Sequence, residues 1–206
     1  MRCYMLVNEV SIIIPVIRPD KAERCKEAIY RNSGIFRYQY EVIAEKDNDR
    51  IGAPFMVKYL VDKAKHPAVM FLGDDTIPQH NFLKNAIEAM NIFPDQWGLV
   101  GLNDGFFKNG EIATHWLAHK NLLEFLDGEF FHTGYRHCFC DAELTERCRE
   151  INRYLWCEDA KIIHDHPILE GKTTMGTDYE KPYLPNNYYH DLRLFKRRKA
   201  SGWKNG

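Results

Sequence analysis

The sequence predicts an α/β fold built on a mostly parallel sheet, and two observations point to it. Short β-branched apolar runs alternate with longer amphipathic stretches through the N-terminal half. That β-α-β-α alternation lays strands side by side and covers both faces of the sheet with helices. Acidic groups then follow the strand candidates at Glu45/Asp47, Asp74/Asp75 and Asn103/Asp104. In such sheets ligands bind beyond the carboxyl ends of the strands, so this placement points to chemistry.

The elements follow in order. Val10 to Val16 (VSIIIPV) is a β-branched run of the kind buried on both faces. Asp20 is positioned to cap a helix over Lys21 to Ile29. Tyr40 to Glu45 reads as the second strand, and Gly52 to Ala64 as a helix with Phe55, Val57, Tyr59, Leu60 and Val61 apolar. Ala68 to Leu72 is a third strand ending in Gly73-Asp74-Asp75, and a helix runs from after Pro78 to about Met90. Trp97 to Leu102 is a fourth strand. Thr114 to Leu126 reads as a helix with Trp116, Leu117 and Leu123 on its apolar side. Asp141 to Ile151 reads as another helix, and Ala160 to His164 as a late strand. The stretch from Gly171 onward is polar and Tyr-rich, and reads as irregular.

Composition narrows the functional classes. The chain has 206 residues, enough for one domain with a sizeable core, so a single domain over 1–206 is expected. Its 45% hydrophobic and 28% charged residues are those of a soluble globular protein. A net charge of -1 gives no support to non-specific nucleic-acid binding. The basic run Lys196-Arg197-Arg198-Lys199 with Trp203 is the one feature in its favour, and reads as a solvated tail. The first apolar run, Val10 to Val16, is too short to span a bilayer and nothing resembles a signal peptide, so no membrane span and a cytoplasmic location are expected. The six cysteines are then expected as reduced thiols. A zinc site around His137-Cys138-Phe139-Cys140 with Cys148 and Cys157 lacks the usual C-x-x-C pairs.

Three segments carry candidate chemistry. Asp74 and Asp75 repel each other directly after a buried strand, and a hard divalent cation offsets that repulsion; the alternative is a solvated turn. His164-Asp165-His166-Pro167 follows an apolar strand, and alternation puts both histidines on one face, suited to manganese; the alternative is a structural pair. Asp141, at the start of a helix, is placed to take a proton from a hydroxyl or to cap the helix.

Together these segments resemble the GT-A glycosyltransferases, of the large family-2 type that inverts the anomeric centre. The resemblance covers roughly Val10 to Tyr179. It implies a three-layer α/β/α sandwich, with about 1–104 binding the nucleotide sugar, about 105–180 forming the acceptor and catalytic half, and a tail over 181–206. Val10 to Val16 is similar to the family's first strand, whose end touches the nucleoside, which implicates Pro15 and Ile17. Glu45 or Asp47 sits where the family reads the base, with uracil the commonest case. Arg50-Ile51-Gly52 is similar to the glycine-led segment entering the next helix, which puts Arg50 and Gly52 at the nucleotide. Gly73-Asp74-Asp75 matches the family's Asp-x-Asp motif with Gly73 in place of the first aspartate. By that match Asp74 lies near the ribose and Asp75 holds Mn2+ or Mg2+, completed by His164 or His166.

The same resemblance makes Asp141 the general base, although the usual preceding glutamate is absent. His115 and Trp116 would line the sugar or acceptor site, with a core role open for Trp116. The chain is short after the late histidine, so a small acceptor, or one on another protein's surface, is expected. The partners implied are a nucleoside-diphosphate sugar and an acceptor the sequence does not name. Two other readings share these residues. A nucleotidyltransferase would carry a glycine-rich loop where Ile17-Arg18-Pro19-Asp20 stands. A binding module without catalysis would accommodate Gly73 and the missing glutamate.

Overall fold

The computed structural model describes residues 6–166 and 184–204. Its centre is a seven-stranded sheet: β1 (Val10–Val16), β2 (Tyr40–Lys46), β3 (Ala68–Phe71), β4 (Thr76–Pro78), β5 (Leu99–Asn103), β6 (Trp116–His119) and β7 (Tyr154–His164). The strand order is β2-β1-β3-β6-β5-β7-β4. The β2-β1-β3 and β5-β7 pairings are parallel, while β6 runs antiparallel to both β3 and β5, and β4 antiparallel to β7. The α/β class follows the sequence; the parallel part of the sheet is interrupted at β6.

Five α-helices accompany the sheet among the described residues: α1 (Pro19–Asn32), α2 (Ala53–Lys63), α3 (Phe82–Met90), α4 (Cys140–Glu150) and α5 (Pro185–Ala200). β1 is buried on both faces, and alternation divides its side chains between two cores. Val10, Ile12 and Ile14 join Cys25 and Ile29 of α1 and Leu83 and Met90 of α3. Ile13 joins Val57 and Leu60 of α2, Leu144 and Cys148 of α4, and Trp116. The result is helices, sheet and helices in three layers. Ile12, Ile13 and Ile14 are each fully buried, which stabilises the fold by roughly 1.5–3 kcal/mol per side chain.

Three expectations need correction. Trp116 does not begin a helix: Trp116–His119 is a strand in the middle of the sheet, followed by a 3-10 segment over Lys120–Phe125. A short apolar run fits either period, and the slot between β3 and β5 offers backbone partners on both edges. Asp20 does not cap α1, which starts at Pro19 with Arg18 preceding it; proline at the first position supplies the helical φ. The helix expected between Pro78 and about Met90 is α3, which starts at Phe82 because Thr76–Pro78 first pairs with the end of β7. The C-terminal stretch is helical over Pro185–Ala200, and 171–183 lie outside the described residues. Its inward stripe is Asp191, Leu194 and Arg198, so the basic run is not wholly solvated.

No helix among the described residues is long and apolar enough to cross a membrane. Cys25, Cys138, Cys140, Cys148 and Cys157 are free thiols.

Candidate functional site

The sheet brings distant strand ends to one edge. Ile13 pairs with Phe71 across β1 and β3, and the Leu72 amide donates to the Ile13 carbonyl at 3.1 Å, so Asp74 emerges beside the end of β1. There the Asp74 carboxylate accepts from the backbone amides of Ile17 and Arg18, each at 2.7 Å, and from the Arg18 guanidinium. Arg18 also reaches Asp75, with Nη1 3.1 Å from Oδ2. Asp47 follows β2, its amide donating to the Val16 carbonyl at 2.9 Å. Both its oxygens are taken, by the amides of Ile51 and Gly52, at 2.9 Å each. Those bonds hold the turn that carries Arg50 into α2, and Gly52 sits there at φ 92, where a side chain would be strained.

A second group of strand ends faces the first. The antiparallel β6 starts at this edge, so His115 lies next to Gly73 and to the end of β5. Asp104, directly after β5, accepts from the Phe106 amide at 2.8 Å and from the Thr114 hydroxyl, and its Oδ2 is 3.3 Å from His115 Nδ1. His164, the last residue of β7, pairs in register with Thr76, and its imidazole lies between two carboxylates. Nε2 is 3.6 Å from Asp75 Oδ1, and Nδ1 is 3.5 Å from Asp104 Oδ2.

The electrostatics follow from that sandwich. Burial disfavours the imidazolium, but the two carboxylates outweigh it and push His164 up to about 9. Burial also raises Asp75 and Asp104, and here too the histidines prevail, together with Arg18 at Asp75, so both carboxyls are held well below the usual range. His115, buried more completely, is held below its ordinary value by desolvation.

Asp104, His115 and His164 each offer a ligand atom, and all three atoms lie within 4.8 Å of one another. Nδ1 of His164 is buried without a hydrogen-bond partner of acceptable geometry. Carboxylate oxygens beside two imidazoles form a donor set suited to a manganese-class divalent ion, so these residues fit such a group. The cysteines around Cys138 form no comparable cluster among the described residues.

The third component is Asp141, in the first turn of α4. Desolvation raises its carboxyl to about 6, against the pull of the Ala142 amide and with a contribution from the charge of Asp104. The helix is preceded by Phe139 at φ 67, a left-handed conformation that is uncommon for an aromatic residue.

One cleft of about 850 Å³ connects these parts. Pro15, Ile17, Asp47, Arg50, Gly52 and Asp74 line the side beside β1 and β2. Asp75, His115, His164, His166 and Asp141 line the same cleft. Two candidates are not brought in. Trp116 is fully buried against Phe71, Phe130 and Phe131, because a central strand turns its side chain into the core; it is a core residue. Glu45 pairs with Lys63 of α2 at 2.6 Å and lines a neighbouring hollow instead. His166 lies within ring contact of His164, with centroids 5.3 Å apart, but is not part of the three-residue ligand group.

Sequence reasoning missed two participants. Asp104 was visible as a strand-end acid, yet its partners His115 and His164 are joined only by β6 and β7. Arg18 lies two residues past the end of β1, and nothing in its spacing reveals that it pairs with both Asp74 and Asp75.

No protein-family model matches the sequence, and no curated protein matches it. Solved structures do match. The mannosyltransferase PcManGT from Pyrobaculum calidifontis, in complex with GDP-Man and Mn2+, superposes with a TM-score of 0.63 at 16% identity, over 77% of this chain and 57% of that one. S. aureus TarS 1-349 in complex with UDP gives 0.57 at 13% identity, over 73% and 58%. A further TarS structure gives 0.59 at 14%, over 77% and 37%. The chain thus has a GT-A-like glycosyltransferase fold, and it spans little more than half the length of the first two neighbours and 37% of the third.

Proposed function

We propose that this chain is a metal-dependent inverting glycosyltransferase that moves a sugar from a nucleoside-diphosphate sugar, with UDP the favoured carrier, to an acceptor hydroxyl. The observation that carries the reading is that Asp75 and Asp141, from opposite halves of the chain, line one cleft. The neighbours' bound GDP-Man and UDP support the donor class.

Asp75 and His164, with Asp104 and His115 behind them, would hold Mn2+ or Mg2+. The chemistry supplied there would be positive charge to offset that of a departing diphosphate. Asp74 fixes the end of β1 against which the nucleoside lies, and Asp47 shapes the turn that presents Arg50 and Gly52. Asp141 takes the proton of the acceptor hydroxyl as its oxygen bonds to the anomeric carbon and the bond to the diphosphate breaks. A carboxyl near 6 is ionised at neutral pH yet basic enough to accept that proton. We read 1–104 as the donor half and the remainder as the acceptor half.

The test is the thermal midpoint with nucleoside diphosphates and their sugars, with manganese or chelator, followed by product analysis. A ligand that binds only the folded state raises the midpoint. A metal-dependent rise with one nucleotide, lost in Asp75→Ala, and release of that nucleotide on incubation with its sugar support the reading. A rise without product leaves a sugar-nucleotide binding module. No rise with any nucleotide sinks the proposal.

A further inference from the structure

The general base assigned above stands on α4, but its N-terminal approach is held by α5. Asp191 of α5 is fully buried. Its carboxylate accepts three consecutive backbone amides: Arg136 at 3.0 Å, His137 at 2.9 Å and Cys138 at 2.8 Å. His190 Nδ1 lies 2.9 Å from the same carboxylate. Hydrogen bonds to an ionised acceptor are about twice as strong as neutral ones, and three amides on one carboxylate fix a backbone path. That path is the loop leading directly into Asp141.

Three further contacts from α5 act on the same stretch. Arg136 Nη1 donates to Asn187 Oδ1 at 2.8 Å. Phe139, strained at φ 67, packs against Tyr188 and Phe195, with ring centroids 5.4 and 5.5 Å away. Two residues beyond Asp141, in the same first turn of α4, Arg198 pairs with Glu143 at 2.8 Å, and both side chains are buried. A strained residue persists only where its surroundings over-determine it, and here α5 does so.

We propose that Asp191 is a positioning residue for the reaction: it gathers the 136–138 backbone and thereby sets where the Asp141 carboxyl stands in the cleft. The inference rests on Asp141 being the base, so its test includes a readout that needs no turnover. Misplacing a catalytic group by about 1 Å can cost on the order of 100-fold in rate. Asparagine at 191 keeps the shape but offers one acceptor oxygen, and turns an amide towards donors.

The experiment compares wild type, Asp191→Asn and Lys199→Ala. The last removes the exposed α5–α4 ion pair with Glu146 and controls for general loosening of the helix. Carbon-detected NMR follows the titration of the Asp141 carboxyl, and kinetics follow transfer. Asp191→Asn is expected to move the Asp141 midpoint, lower kcat roughly 10- to 100-fold and shift the acid limb of its pH profile, with donor KM within about twofold. Lys199→Ala is expected to match wild type. An unchanged midpoint and kcat in folded Asp191→Asn overturns the proposal, as does an equal change in Lys199→Ala. If wild type transfers no sugar while the midpoint still depends on Asp191, the positioning role stands and the glycosyltransferase reading falls. Should Asp191→Asn not fold, amide exchange in wild type decides: slow exchange at His137 and Cys138 supports the latch, and exchange as fast as an open loop overturns it.

Discussion

His164 stands between Asp75 and Asp104, its two ring nitrogens 3.6 and 3.5 Å from their carboxylates. In the metal-free protein a proton does what a cation would do, since the ring is pushed up to about 9 and carries charge at neutral pH. A histidine ring must be deprotonated at the nitrogen that ligates a metal, so Mn2+ binding at the proposed site would expel that proton. Mn2+ affinity is expected to be stronger at pH 8 than at pH 6, with close to one proton released. Calorimetry in buffers of different ionisation enthalpy measures both, and a pH-independent affinity would refute it. The folded value lies above the ordinary one near 6.5, so this group's stabilisation is present below about pH 6.5 and is lost as pH rises through about 9. The metal-free midpoint should fall across that window.

Asp141 obeys the same sign rule with a different result. Its folded value of about 6 exceeds the ordinary carboxylate value near 4, so ionising it at pH 7 opposes folding. Asp141→Asn is expected to abolish transfer, leave nucleotide binding intact, and stabilise the fold by on the order of 2 kcal/mol at neutral pH. Denaturant titration and nucleotide affinity check this. For wild type, transfer should decline as pH falls through about 6.

Gly73 invites a restoration that should fail. A Cβ there would come within 2.8 Å of Asp75 Oδ1 and 3.2 Å of His115 Nε2. Asp75 is held by Arg18 and faces His164, so it has little room to yield. Gly73→Asp is expected to weaken metal-dependent nucleotide binding rather than improve it. Tighter binding in that variant would show that the glycine is only a loss.

The pair Glu143–Arg198 is buried, with side chains 4% and 3% exposed, and Tyr135 donates to Glu143 at 2.7 Å. Removing Arg198 takes the nearer cation from the buried Glu143 and leaves it Arg147 Nη1 at 3.3 Å. Breaking a buried pair costs roughly 3–5 kcal/mol, with the lower end expected where a second cation remains. Arg198→Ala should therefore destabilise strongly, and Glu143→Gln with Arg198→Met should recover much of the loss. Denaturant midpoints read both; a near-neutral Arg198→Ala would contradict the role assigned to the pair.

What the sequence determined by itself is local. VSIIIPV specifies a strand buried on both faces, and the acids that close or follow Tyr40–Glu45, Ala68–Leu72 and Trp97–Leu102 point to the edge where the cleft lies. Periodicity and turn residues are read within a few positions, so these elements were legible. Asp74, Asp75, Asp141 and His164 were legible for the same reason: each directly follows or closes a strand, or opens a helix. Tertiary structure decided the rest. Trp116 became a core strand residue because β3 and β5 left a slot whose hydrogen bonds outweighed a helical period. Asp104 met His115 through the antiparallel β6 and His164 through the parallel β7, pairings that the alternation of the N-terminal half did not foretell. The helix at 185–200 was hidden because its buried stripe, Asp191-Leu194-Arg198, is mostly polar. Charged groups go inside only when a distant segment supplies their partners, and the partners at 127, 136–138 and 143 lie far away in sequence and meet them only in the fold.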